Sequence, residues 1–559
     1  MTLLIREKKR ICDLSFGALF VFSIAFMLWK APYGFHFSDE AYYLTVPYRM
    51  IQGDVLFRDM WDIRQFSMLP TLPLMQVYLK TAGSTESMVL HFRYIYILFH
   101  AAFSLWLYFI LRRSFPAGAV FAAAVYLLFS PINIMQFSYN TYGIGFLTIS
   151  GALLSENRKS VLAGVLYALA VLSCPFAAVL FFVFSAAVAV KRNREKNVQW
   201  LLFTLGVVAS ALVFLGFVQL TAGLGEMIKA LPEFFNDPTH PVDGVAGRLI
   251  DLFRELLTKK IPVTAVLGVQ LAAITVYCLS GKKKSLRAWL CIPTAAAVVF
   301  GMLYEMRTDR WINCLMVPIT YAGLTAYVLS EKKNRAVLRF LYIPGLIYGA
   351  CVFMSSDLGY MTMSGAFTAA AVAAVVFIAQ LALELYEQSD RAAKLGALAL
   401  AAVLVCQLAS QLWYRKNFCF SELYNTSQMT ETVDKGSGKG EKTSVEAINY
   451  EFWQVWDSSE KVRECEGEYV LYFTKDCWLY LEDEKRCAAQ SAWIQMGYTV
   501  EEAERLVNFW EKHPEKIPDA IYVSAETENA EKVVEILDPG HYNVERNPRG
   551  YTMLRSRKG

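Results

Sequence analysis

Long apolar runs, separated by short polar breaks, set the pattern of this chain. Runs of helical length lie at 11–31, 93–111, 117–133, 141–155, 160–173, 175–190, 198–220, 261–280, 286–304, 311–330, 337–354, 363–386 and 394–413. Charged or turn-forming residues bound each run. An upright span needs about 20 apolar residues, and several runs are shorter. The pattern predicts about thirteen membrane-spanning helices. At Ser173-Cys174-Pro175 the chain either turns tightly between two short helices or kinks within one long helix.

Charge separates those two readings. Short loops rich in Lys and Arg stay cytoplasmic. The basic clusters are Arg112-Arg113, Arg158-Lys159, "KRNREK" at 191–196, "KKK" at 282–284, "EKKNR" at 331–335 and "DRAAK" at 390–394. Two helices around Pro175 put all of them on one side with the basic N-terminus, whereas one long helix splits the set. The expected topology is therefore a multi-pass plasma-membrane protein with a cytoplasmic N-terminus and an outward C-terminal region. Arg6-Glu7-Lys8-Lys9-Arg10 before the first run looks like the start of a signal peptide. The run is long and no small-x-small cleavage site follows it, so it reads as an uncleaved first span.

Past residue 414 the pattern changes. Residues 1–414 read as the membrane domain and 415–559 as a separate polar unit. "TETVDKGSGKGEKTS" at 430–444 is rich in Gly, Ser and Lys and reads as a flexible linker or mobile loop. Strands are expected at 468–473 and 520–524, helices at 499–512 and near 528–537, and a closing hairpin around Pro548-Arg549-Gly550. These elements make a small α/β domain. No internal repeat and no Gly-rich phosphate loop is evident.

Composition agrees with the pattern. The chain is 55% hydrophobic and 19% charged, with mean hydropathy +0.33, as in a polytopic membrane protein. A net charge of +4 is too small to imply nucleic acid. Most of the eleven cysteines lie in or beside apolar runs and read as small core residues. Cys419, Cys465, Cys477 and Cys487 lie in the tail, where an outward location leaves room for a disulfide of unspecified pairing.

The expected outer side collects the unusual residues. The loop 32–92 opens with Asp39-Glu40, directly after the first span, in "FHFSDEAYYLTVPYRMIQGDVLFRDMWDIRQF". Residues 41–51 have helical spacing, with Tyr42, Tyr43 and Val46 on the apolar side, and predict an amphipathic helix on the membrane surface. The Pro-broken "QFSMLPTLPLMQVYLKTAG" reads as another interfacial or re-entrant piece. The acid pair is either a solvated helix start, capped by Ser38 or Asp39, or the chemistry of a surface site. Arg307 and Arg310 in "YEMRTDRW" are either anion ligands or part of a salt-bridged turn with Glu305 and Asp309. Arg58, Arg93 and Lys229 are weaker cationic candidates. His36 and His91 read as structural or solvated. No cluster has the spacing of a dedicated metal site.

The order of span, Asp-Glu pair, interfacial helix, "GDVLFRDMWD" and Pro-containing apolar segment resembles the first extracytoplasmic loop of the GT-C glycosyltransferases. It is most similar to protein O-mannosyltransferases and to the bacterial transferases that place aminoarabinose on lipid A. The resemblance implies an all-α GT-C-like membrane fold with a small C-terminal extracytoplasmic α/β domain. It implies transfer of a sugar from a polyprenyl-phosphate donor to an envelope glycan, lipid or protein, usually with inversion. Asp39 matches the family's catalytic aspartate, a general base for the acceptor hydroxyl. Glu40 matches its neighbour, which orients the acceptor or tunes the aspartate. Arg64, Arg307 and Arg310 are the candidates for the donor phosphate. Tyr43, Asp59, Asp62, Tyr139 and Asn140 are the candidates for substrate contact.

Where many relatives carry Lys-Pro-Pro-Leu or His-Pro-Pro-Leu, this chain has "WDIRQFSMLPTLPL", with Arg64 near the basic position and Pro70 and Pro73 displaced. That departure bears on donor contacts and on substrate identity. No cofactor and no metal is expected, although related oligosaccharide transferases use a divalent ion. The expected partners are the polyprenyl-phosphate sugar, membrane lipid and an unidentified acceptor, without nucleic acid. The competing readings are a transporter or flippase of a lipid-linked sugar and a non-catalytic envelope assembly protein.

Overall fold

The computed structural model describes residues 2–61, 63–189, 194–235, 245–309, 311–355, 358–419, 425–494, 499–538 and 540–556. Every expected apolar run contains a helix. Among the described residues, nine helices are long and apolar enough to cross a membrane: Lys9–Lys30, Met88–Leu111, Asn197–Thr221, Ile261–Leu279, Lys284–Thr308, Ile312–Leu329, Arg335–Met354, Thr368–Tyr386 and Arg391–Asn417. Pro116–Leu127, Ser160–Ser173 and Pro175–Ala186 are shorter apolar helices. At the ambiguous turn Cys174 is extended (φ −143°, ψ 94°) and Pro175–Val179 is a 3₁₀ turn, so the chain breaks into two helical pieces. Pro175 removes an N–H and pushes the residue before it out of helical geometry.

Small residues let the helices approach closely. A Cβ on Gly164 would lie 2.1 Å from the Phe203 carbonyl, and one on Gly206 would lie 2.1 Å from the Val161 carbonyl. The two backbones are therefore in direct contact, the packing that apolar surroundings favour.

Polar contacts sort the loops between the two ends of the bundle. At one end Arg112 pairs with Asp13 at 2.9 Å, and Ser114 donates to Glu156 at 2.7 Å. Arg287 there bridges Glu331 at 2.6 Å and Glu384 at 2.8 Å. A pocket lined by Ser114, Phe115, Lys332, Lys333 and Glu384 joins these groups. The basic clusters from Arg112 to Lys333 thus share an end, except "KRNREK", which falls largely outside the described residues. The opposite end carries the first loop, the turns around Ser130 and Asp309, and the root of the tail at Arg415. The helices Leu224–Phe235 and Val245–Thr258 leave Ile228, Ile250 and Phe253 exposed. Glu233 of the first of these accepts from Lys512 of the tail at 2.7 Å.

In the tail, β3 (Tyr469–Phe473), β4 (Arg486–Cys487), β5 (Ala520–Ser524), β6 (Tyr542–Asn547) and β7 (Gly550–Arg555) form a sheet in the order β4-β3-β5-β7-β6. β3 is parallel to β4 and β5, while β5, β7 and β6 pair antiparallel. Helices Thr499–Lys512 and Ala530–Leu537 accompany it. The expected strands, helices and hairpin are all present. All eleven cysteines are free thiols.

Two local expectations are corrected. Segment 430–444 is not an open linker. Glu431–Thr432 (β1) pairs with Lys442–Thr443 (β2), and the Gly34 N–H donates to the Lys442 carbonyl at 2.7 Å. Ser437 and Glu441 are fully buried, and a Cβ on Gly438 would touch the Phe35 ring at 3.0 Å. The glycines let the chain lie flat against the first loop. The helix after Asp39-Glu40 likewise lacks the exposed polar face expected of an amphipathic surface helix. Residues Glu40 to Arg49 are all buried, because the tail covers the side away from the bundle.

Candidate functional site

Four helices build the end of the first loop. They are α1 (Thr2–Lys30), α2 (Asp39–Ile51), α3 (Leu72–Ala82) and α4 (Met88–Leu111). α3 is too short to cross a bilayer. Asp39 and Glu40 occupy the first turn of α2, where carboxylates complement the helix dipole. Ser38 holds the N-cap position without a side-chain cap bond.

The two acids have different surroundings. Glu40 is fully buried and takes both oxygens to Arg93 of α4. Nε donates to Oε1 at 2.6 Å and Nη2 to Oε2 at 2.5 Å. The same guanidinium donates to the Ala31 carbonyl at 2.5 Å and to the Gly34 carbonyl, so it also shapes the chain between α1 and α2. A second buried carboxylate, Glu441 of the tail, reaches Arg93 at 3.1 Å. Burial drives the Glu441 carboxyl well above the usual range, and nearby Glu40 adds to this against the pull of Arg93.

Asp39 is half-buried. It lies near Cys477 of the tail, whose thiol is pushed well up by burial first and by the Asp39 charge second. One helical turn further on, Tyr43 meets Tyr139 edge-to-face at 6.2 Å. Residues four apart share a helix face, so Asp39, Tyr43 and Tyr139 lie toward the same side. Tyr139 and Asn140 open the helix Tyr139–Ser155, capped by Ser138, whose Oγ accepts from the Thr141 N–H at 3.0 Å. Asn140 is buried and its Oδ1 has no hydrogen-bond partner among the described residues. His36 faces Ser38, its Nδ1 3.4 Å from the Ser38 hydroxyl. Burial, then Lys475 and Arg93, hold the His36 pKa well below the usual value.

Other candidates are placed elsewhere. Asp59 is buried in a clamp between the first loop and the tail. Its carboxylate accepts the Val55 N–H at 2.7 Å, faces Lys516 at 3.2 Å and pairs with Arg58 at 3.0 Å. Burial opposes its charge, but Lys516 and Arg58 outweigh burial and lower its pKa. Lys516 also donates to Asp54 at 2.7 Å, and Asp54 accepts from Arg49 at 2.8 Å. Arg307 is exposed in the last turn of the helix Lys284–Thr308. Arg64 lies in the 3₁₀ turn Ile63–Met68. Its side chain, Asp62 and Arg310 fall outside the described residues.

Sequence reasoning ranked Arg93 low and missed Lys516 and Glu441 altogether. It also missed Lys30, which donates to Thr426 at 2.5 Å and to Cys419 at 3.1 Å. For Arg93 and Lys30 the available signal was weak, a lone charge at the end of an apolar run that must find a partner; Lys516 and Glu441 lie in the polar tail, where a charge gives no such signal. Which partner it finds is a long-range matter.

A further charged cluster surrounds Asp309. Lys260 pairs with Glu305 and, at 2.6 Å, with Asp309, while the Cys314 thiol donates to Asp309 at 3.2 Å. Glu305 and Asp309 are thus paired with Lys260, a cation that the expected turn with Arg307 and Arg310 did not include.

Compared with known proteins, the chain matches no protein-family model and no curated sequence.

Proposed function

We propose that the chain is a GT-C-like membrane glycosyltransferase. It would take a sugar from a polyprenyl-phosphate donor and pass it to an envelope acceptor on the outer face. The reading includes about thirteen spans, a cytoplasmic N-terminus and the α/β tail outside. The observation that carries it is the division between the adjacent acids. Glu40 is fully engaged by Arg93, while half-buried Asp39 shares a helix face with Tyr43.

In the proposed mechanism Asp39 accepts the proton of the acceptor hydroxyl as its oxygen attacks the anomeric carbon. The bond from that carbon to the phosphate oxygen breaks, and the polyprenyl phosphate leaves with the electron pair. In-line attack inverts the anomeric centre. Cations must balance the leaving phosphate; Arg64, Arg307 and Arg310 are assigned that part. Arg93 and Glu40 hold α2 so that Asp39 keeps its position, a fixed geometry that general-base catalysis requires.

The test is transfer from radiolabelled polyprenyl-phosphate sugars to envelope extracts by the purified protein. Label moving to an acceptor only in the presence of intact Asp39 supports the reading. Transport of the carrier across a vesicle membrane without sugar release would replace the transferase with a flippase.

A further inference from the structure

The cluster below the helix Lys284–Thr308 carries chemistry that glycosyl transfer does not use. Glu305 and Asp309 are four residues apart, at and just beyond the end of that helix, and so face the same way. Cys314 reaches them from the 3₁₀ turn Ile312–Leu315. One donor atom from each residue lies within 4.8 Å of the others. The backbone behind them is held in place. The Tyr414 hydroxyl donates to the carbonyls of Glu305 and Asp309, both at 2.9 Å, and the Trp311 N–H donates to Asp309 Oδ1 at 2.8 Å.

The cation at the centre is the Lys260 ammonium, 2.6 Å from Asp309 Oδ2 and 3.6 Å from Cys314 Sγ. It leaves one demand unmet. Glu305 is fully buried, and its Oε1 has no hydrogen-bond partner among the described residues. Such an atom forfeits its hydration without compensation. An ammonium also makes little use of a soft sulfur donor. We propose that Glu305, Asp309 and Cys314 form a zinc site, from which Lys260 is displaced when the ion binds.

The donor set points to zinc. One thiolate and two carboxylates with a water complete a tetrahedron, with bonds of about 2.3 Å to sulfur and about 2.0–2.2 Å to oxygen. Mg²⁺ and Ca²⁺ want oxygen alone. Binding balances simply. Zn²⁺ takes the Cys314 sulfur, whose proton leaves to solvent, and one oxygen from each carboxylate. The Lys260 side chain keeps its proton and swings out; it is already 14% exposed.

The experiment uses the full chain in detergent, stripped with chelator and dialysed against Zn²⁺ alone. The proposal expects one zinc per chain. Lys260→Met should bind about tenfold tighter, and Cys314→Ser at least tenfold weaker, on the scale of other single changes around metal sites. With Co²⁺ in place of zinc, the wild-type protein should show a sulfur-to-cobalt charge-transfer band. This reading stands even where Cys314→Ser folds poorly. Absence of that band, zinc affinity undiminished in Cys314→Ser, or zinc bound by Lys260→Met but not by the wild type would each overturn the proposal. In the last case the lysine is the resident cation.

Discussion

Glu40 and Arg93 face each other as a fully buried two-pronged ion pair, with Nε–Oε1 at 2.6 Å and Nη2–Oε2 at 2.5 Å. They are 53 residues apart. The pair joins the start of α2 to α4 and anchors the chain leaving α1. Removing one partner of a buried pair strands the other, typically at about 3–5 kcal/mol. Arg93→Met strands two carboxylates, so it should lower the thermal aggregation midpoint in detergent more than Glu40→Gln does. Equal midpoints for Arg93→Met and the unmodified protein would show that the pair does not hold the loop.

Asp39→Asn keeps shape and removes basicity. Loss of a general base costs about 10²–10⁴-fold in rate. We expect that loss in sugar transfer, with thermal stability and carrier binding retained. Near-normal turnover would reduce Asp39 to a helix-start residue.

Lys516 binds Asp54 at 2.7 Å and Asp59 at 3.2 Å and so fastens the tail to the first loop. Lys516→Met should expose the loop to protease while the membrane helices stay intact. The cost is again about 3–5 kcal/mol. Because the Asp59 pKa is lowered in the folded protein, its contribution is complete above the ordinary Asp value of about 3.9. It is lost as pH falls through the lowered value. Limited proteolysis of the unmodified protein should therefore accelerate only below that range. The same cutting rate for Lys516→Met and the unmodified protein at neutral pH would dismiss the clamp.

Glu441 has the opposite sign. Its folded pKa is raised, so its contribution is present below the ordinary Glu value of about 4.3 and disappears as pH rises through the raised value. Glu441→Gln removes the charge and should be more heat-stable than the unmodified protein, by a margin that grows from acid to neutral pH. A margin that shrinks as pH rises would mean that Glu441 is ionised in a favourable pairing with Arg93.

The sequence by itself determined the helices and the strands. Apolar runs of span length and the short continuous apolar runs in "EYVLYF" and "AIYVS" are local signals, because burying apolar surface and satisfying the backbone are decided within a few turns. Pro175 marked an interruption beside Cys174, and the placing of the basic loops on one side chose a turn between two helices over a kink. Tertiary structure decided what the polar residues do. The glycines of segment 430–444 indicate a backbone free to bend, and only the flat face of the first loop turns that freedom into packing. Tyr42, Tyr43 and Val46 marked one apolar side of α2, but the tail buries the other side through Thr45, which donates to the Cys477 carbonyl at 3.1 Å. Asp39 and Glu40 are neighbours in the chain. They diverge in surroundings because Arg93 and Glu441 arrive from 53 and 401 positions away, a difference read directly from their numbers. A charge in a low-dielectric interior is governed by whichever partner the fold brings within a few ångströms, and sequence distance carries no record of that.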